Sequence, residues 1–193
     1  MSSTASPFGM RPVYKFGGTP ASLTLPTTIT SGYATAIGQG DPVKLAGGVI
    51  TRAGGTNATD TTGGIIGCFM GVEYTDSNGR RQESNQWIAS LTATNIVAYI
   101  TADPFITYEV QANGSIAQSN VGAEIDFVSP TLNTTTGLST TAVDTATIST
   151  GAQRLLRIIG ITPGPDNAYG DAFTIIQVQI AKHQWVTPVV GVA

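Results

Sequence analysis

An all-β fold, an antiparallel barrel or sandwich of jelly-roll-like type with little helix, is what this sequence predicts, and three observations lead there. Threonine and glycine dominate while glutamate and lysine are scarce, a balance that favours strand and turn over helix. Stretches of period-two alternation recur between clusters of turn residues. The 193 residues suit one domain with appendages: 41% are hydrophobic, enough for a core, and only 11% are charged, against roughly 25% in an average soluble domain. So few charges point to a surface rich in hydroxyls and amides, or one covered by partners.

Taken in order, residues 1–32 carry Pro7, Pro12, Pro20 and Pro26 among small polar residues. A segment so interrupted cannot run as a central strand, and it predicts an extended N-terminal arm. A single β domain over 33–183 follows. Its first candidate strands are YATAIG, PVKLAGGVI, GIIGCFMGVEY and NIVAYITA, separated by GQGD, TRAGGTNATDTTGG and TDSNGRRQESN. FITYEVQ and SIAQ flank an Asn113-Gly114 pair, which predicts a tight antiparallel hairpin. In VGAEIDFV, Val121, Ala123, Ile125 and Phe127 are expected inside, with Glu124 and Asp126 on the wet face. The threonine-rich stretch 129–151 reads as a loop or insertion. QRLLRIIG leans to strand. In AFTIIQVQIAKH, Ile176, Val178 and Ile180 share one face, opposite Gln177, Gln179 and His183. Residues 184–193, QWVTPVVGVA, form an apolar C-terminal tail suited to docking on a neighbour.

Composition excludes several functions. A net charge of −3 argues against nucleic acid, whose affinity comes largely from phosphate neutralisation. No run approaches the ~18 apolar residues of a membrane span, and MSSTASPFGMRPV lacks the pattern of a secretory signal, so synthesis in the cytoplasm is expected. One cysteine allows no internal disulfide, and with one histidine it falls short of a zinc set. The sequons at Asn57 and Asn133 mark polar loops.

The candidate chemistry is sparse. Cys68 shares a predicted face with Ile66, Met70 and Val72, whereas the only histidine, His183, is expected on a polar face, so a Cys–His dyad would join two different faces. Cys68 is therefore expected to be a buried structural residue. Gly67 and Gly71 flank Phe69, a pattern for a bulge or close backbone approach, and no lysine follows to make a phosphate loop. Glu124 and Asp126 have a spacing that suits a metal or acid–base pair, but also an ordinary wet strand face. Asp166, Asn167 and Asp171 lack the closing glutamate of a calcium loop; turn chemistry explains them. Trp87 and Trp185 are expected as core aromatics, glycan platforms or interface residues. No catalytic, cofactor or metal residue is assigned. Paired Arg80 and Arg81 after the 76–79 turn suit a protein partner.

Several phrases together resemble the head decoration, or cement, proteins of tailed bacteriophages: SPFGMRPVYKFGG, SGYATAIGQGDPVKL, GGIIGCFMGVEYTDSNGR with Trp87, DPFITYEVQANGSIA, and GPDNAYGDAFTIIQVQIAKHQW. The resemblance implies a non-enzymatic homotrimer on the outer surface of the virion head, assembled in the host cytoplasm. Its implied partner is the major capsid protein, with arms bridging capsomers and neither nucleic acid nor membrane involved. The residues expected at capsid or subunit contacts are Phe8, Met10, Arg11, Val13, Tyr14, Arg80, Arg81, Trp185 and Val186. The competing expectations are a carbohydrate-binding β-sandwich of a virion, stacking sugars on Trp87 or Tyr169, and a cysteine hydrolase built on Cys68.

Overall fold

The structure, a computed structural model, describes residues 4–15, 24–54, 64–128 and 130–186. Asn57, Pro20 and the tail beyond Val186 lie outside the described residues. The regular structure of the described chain is nearly all antiparallel strand, with one short 3-10 turn at Gln118–Asn120.

In chain order the strands are β1 (Arg11–Lys15), β2 (Leu25–Thr27), β3 (Ile37–Gly38), β4 (Pro42–Ala46), β5 (Val49–Arg52), β6 (Gly67–Thr75), β7 (Arg81–Ser84) and β8 (Gln86–Trp87). There follow β9 (Thr94–Thr101), β10 (Ile106–Gln111), β11 (Glu124–Phe127), β12 (Leu132–Asn133), β13 (Leu138–Ser139), β14 (Val143–Ser149), β15 (Leu156–Ile161) and β16 (Ile175–Ile180). One six-stranded sheet runs β1-β10-β16-β15-β11-β14, and a second runs β2-β9-β6-β4-β5 with β7 also paired to β6. Among the described residues the arrangement is sandwich-like, without a closed barrel.

The alternating apolar residues fill two cores. Tyr108, Val110, Ile125, Phe127, Leu156, Ile158, Ile176 and Val178 of the first sheet pack with Met10, Ile65 and Cys68. Ile37, Val43, Ile50, Phe69, Val72, Trp87, Ala98 and Ile100 form the other cluster around the second sheet. β6 serves both, because a bulge between Phe69 and Gly71 resets its alternation. Cys68 thus faces one core while Phe69 and Val72 face the other, so the predicted Cys68–Val72 face is split. Gly67 meets the expectation of close backbone approach: a Cβ there would stand 1.5 Å from the Thr101 carbonyl oxygen.

Three expectations are corrected. The described part of the arm belongs to the body: β1 pairs with β10, β2 pairs with β9, and Met10 is buried. Both strands lie at sheet edges, where proline is tolerated. The Asn113-Gly114 hairpin does not form, since β10 pairs with β1 and β16 instead. Asn113 turns toward β14, accepting from the Thr145 N–H and donating to Asp144. The stretch 129–151, expected as a long loop or an edge insertion, carries β12, β13 and β14, the last at the edge of the first sheet; its β-branched threonines suit a pleated surface. Glu124 and Asp126, expected in water, are fully buried beside Arg154 and Arg157. QRLLRIIG does form a strand, β15.

Candidate functional site

After β16 the chain crosses from one sheet to the other. Ala181 donates its N–H to the Leu155 carbonyl in the first sheet's layer. His183 then bridges Ile65 in parallel. Gln184 continues the crossing: its N–H bonds the Ile65 carbonyl, and its side-chain amide both donates to and accepts from the backbone of Leu45 in β4. This clasp presents Trp185 and Val186 at the surface, 57% and 42% exposed.

Trp185 walls a hollow of about 370 Å³ whose other lining residues are Thr24, Leu25, Ala102, Asp103 and Pro104. Beside it, Phe105 is 59% exposed and Leu25 40%. The one charged lining residue, Asp103, is neutralised within the chain: it pairs with Lys15 and accepts the Phe105 N–H at 2.9 Å. The Lys15 hydrogen bond holds its carboxyl below the usual carboxylate range. The result is an apolar surface with no spare charge. Exposed apolar clusters of this kind mark interaction sites, and tryptophan is enriched among the residues that dominate interface energy.

The sequence-predicted contact residues fall into three places. Trp185 lines this hollow, and Val186 follows it at the surface. Phe8, Met10 and Arg11 line a groove with Pro12, Gln39 and Leu138. There the Arg11 guanidinium lies 4.5 Å from the Phe8 ring centre, while Met10 is only 1% exposed. Met10 is therefore a core residue, a correction to its expected availability to a neighbour. Val13 is half-buried, and Tyr14 donates its hydroxyl to Gln177 at 2.7 Å. Arg80 and Arg81 are exposed at the β6–β7 turn but have partners in their own chain, Asp76 and Glu73 respectively. Sequence reasoning missed Leu25, Pro104 and Phe105. The signal was a proline–phenylalanine pair in a short turn between β9 and β10, where polar residues are the rule.

The residues with candidate chemistry are structurally committed. Cys68 is fully buried, its sulfur 3.2 Å from the Thr101 hydroxyl, and burial pushes its thiol up to about 12. A nucleophile needs the opposite shift. We expect iodoacetamide to leave Cys68 unmodified in the native protein and to alkylate it once denaturant is added; mass spectrometry after native labelling checks this, and rapid native alkylation contradicts it. Asp126 accepts from the Arg154 guanidinium at 3.2 Å and from the Leu155 N–H at 3.0 Å, while Glu124 accepts the Arg154 N–H at 2.7 Å. Among the described residues no group of three or more His, Cys, Asp or Glu side chains could hold a metal ion. In the 166–171 turn, Asn167 bonds the backbone of Thr162 and Ile175 on both sides of the β15–β16 loop, and Asp171 accepts the Ala168 N–H.

Two further polar features organise the fold. Asp41, fully buried, accepts from the Gly38 N–H and from the Ser139 and Thr141 hydroxyls, pinning the threonine-rich segment to the start of β4. Burial raises its carboxyl above the usual range. Trp87 is fully buried, with its indole N–H 3.3 Å from the Tyr33 carbonyl and its ring edge-on to Tyr74. It therefore offers no open face for stacking a sugar, and Tyr169 is half-buried.

No helix among the described residues is long and apolar enough to cross a membrane. Comparison with protein-family models, curated proteins and solved structures gives no significant match.

Proposed function

We propose that this chain is a structural cement protein of a tailed-phage head, binding the mature outer lattice as a homotrimer and bridging subunits of the major capsid protein. The phage head as the setting rests on the family resemblance of the sequence. The observation that supports an interaction role is the hollow lined by Trp185, Leu25 and Pro104, whose one carboxylate, Asp103, is paired with Lys15, with exposed Phe105 next to Pro104 in the chain. A protein that binds the assembled lattice but not its dispersed subunits stabilises it by mass action. Three copies of one modest patch multiply their effect through effective concentration.

Truncating residues 1–20 would strip β1 and Met10 from the body, so a surface substitution gives the cleaner test. Trp185→Ala is expected to weaken co-sedimentation with expanded heads, assembled from the genome that encodes this chain, by about 30-fold, or about 2 kcal/mol. Its circular dichroism should match the parent. Binding unchanged by the substitution, or a parent chain that is monomeric on the head, contradicts the reading.

A further inference from the structure

We propose that His183 is a pH-sensitive anchor for Trp185, releasing it from the wall of the hollow when the imidazole takes a second proton. The argument begins with where the protons sit. His183 is 2% exposed, and its Nδ1 accepts the backbone N–H of Trp185 at 3.2 Å. The ring's neutral form therefore carries its proton on Nε2. The carbonyls of Ile66 and Ala102 face the ring closely enough to favour a proton on it, yet Nε2 meets neither in good hydrogen-bond geometry.

With Nε2 occupied, a second proton must go to Nδ1, the atom that accepts from Trp185. Protonation and the Trp185 anchor thus exclude one another: two N–H groups would point at each other inside the fold. A second bond in the same turn, Val186 N–H to the His183 carbonyl at 3.2 Å, does not involve the ring and holds the chain nearby. The Trp185 ring also packs edge-on to His183, their centres 6.1 Å apart, so displacement of either ring alters the hollow directly.

The charged groups around the ring do not outweigh its burial. Asp103, on the β9–β10 turn, favours the imidazolium, but its charge is already shared with Lys15 of β1. Burial dominates and lowers the His183 pKa below its ordinary 6.5. A depressed pKa gives a definite sign: the anchor's contribution is complete above pH 6.5 and is lost as the pH falls through the folded value. Weakening of head binding by acid would follow only if Trp185 is also the contact proposed above; the anchor itself is a property of the isolated protein.

His183 is the only histidine, so its titration can be followed in the unmodified chain. Imidazole ¹⁵N shifts are recorded from pH 8 to pH 4.5, alongside acrylamide quenching of tryptophan emission. Trp185→Phe supplies the background from buried Trp87. We expect Nδ1 to be protonated last, with a midpoint below 6.5. Quenching of Trp185 should rise at the same midpoint over about two pH units, as one proton requires, with far-UV circular dichroism unchanged. Quenching that ignores the histidine titration, protonation of Nε2 last, no titration down to pH 4.5, or release only together with global unfolding overturns the proposal.

Discussion

Asp126→Ala is expected to remove about 3 kcal/mol of folding stability, read as a lowered urea midpoint. The carboxylate is fully buried and holds both the Arg154 guanidinium and the Leu155 N–H. Truncation leaves a cation without its partner and a buried backbone donor without an acceptor. Removing one member of a buried pair typically costs about 3–5 kcal/mol. The lower end applies because the Arg154 side chain is 28% exposed and can turn toward water. For a domain with a total stability of roughly 5–15 kcal/mol, that is a large fraction. Asp126→Asn keeps an acceptor for Leu155 and should lose less. Equal losses from the two substitutions would show that charge alone sets the cost, and no loss from either would refute the buried pair as a fixture of the β11–β15 junction.

Gly67→Ala is expected to cost about 3 kcal/mol or more, above the usual range for overpacking. The added methyl would stand 1.5 Å from the Thr101 carbonyl oxygen and 2.6 Å from its carbon. Both obstacles are backbone, so no side-chain rotation relieves the clash. β6 would have to part from β9 where Cys68 faces Thr101 in the ladder, disturbing the strand that serves both cores. Gly151→Ala, where a methyl meets nothing within 4 Å, should stay within about 0.5 kcal/mol of the parent. Urea unfolding of the two variants makes the comparison, and a Gly67→Ala protein as stable as Gly151→Ala would contradict the β6–β9 register.

The fold class was legible because period-two alternation survives wherever one sheet face meets a core. Ala123, Ile125 and Phe127, and Ile176, Val178 and Ile180, all sit inside as their spacing predicts, whereas Val121, expected inside with the first three, lies in the turn before β11 and is 40% exposed. Alternation failed where a residue's partner lies far along the chain. Glu124 and Asp126 look like wet-face carboxylates until Arg154 and Arg157, some thirty positions away, arrive just before and on the neighbouring strand β15. His183 follows the end of β16, so its side no longer obeys that strand's parity. β14 was hidden for a similar reason: the residues that engage it, including Asn113, come from outside the threonine-rich stretch. At the hollow, Trp185 and Val186 were visible as apolar residues in a polar setting. Leu25 and Pro104 could be assigned to the same surface only after β2 paired with β9.

The proposed role makes Trp185 and its neighbours a contact surface on an assembled head. A reconstruction of the mature head tests this most directly. The account predicts this chain as trimeric density on the outer shell, with the Trp185–Phe105–Leu25 surface buried against a capsid subunit or a neighbouring copy. Absence of the chain from the head, or that surface facing open solvent there, would contradict it.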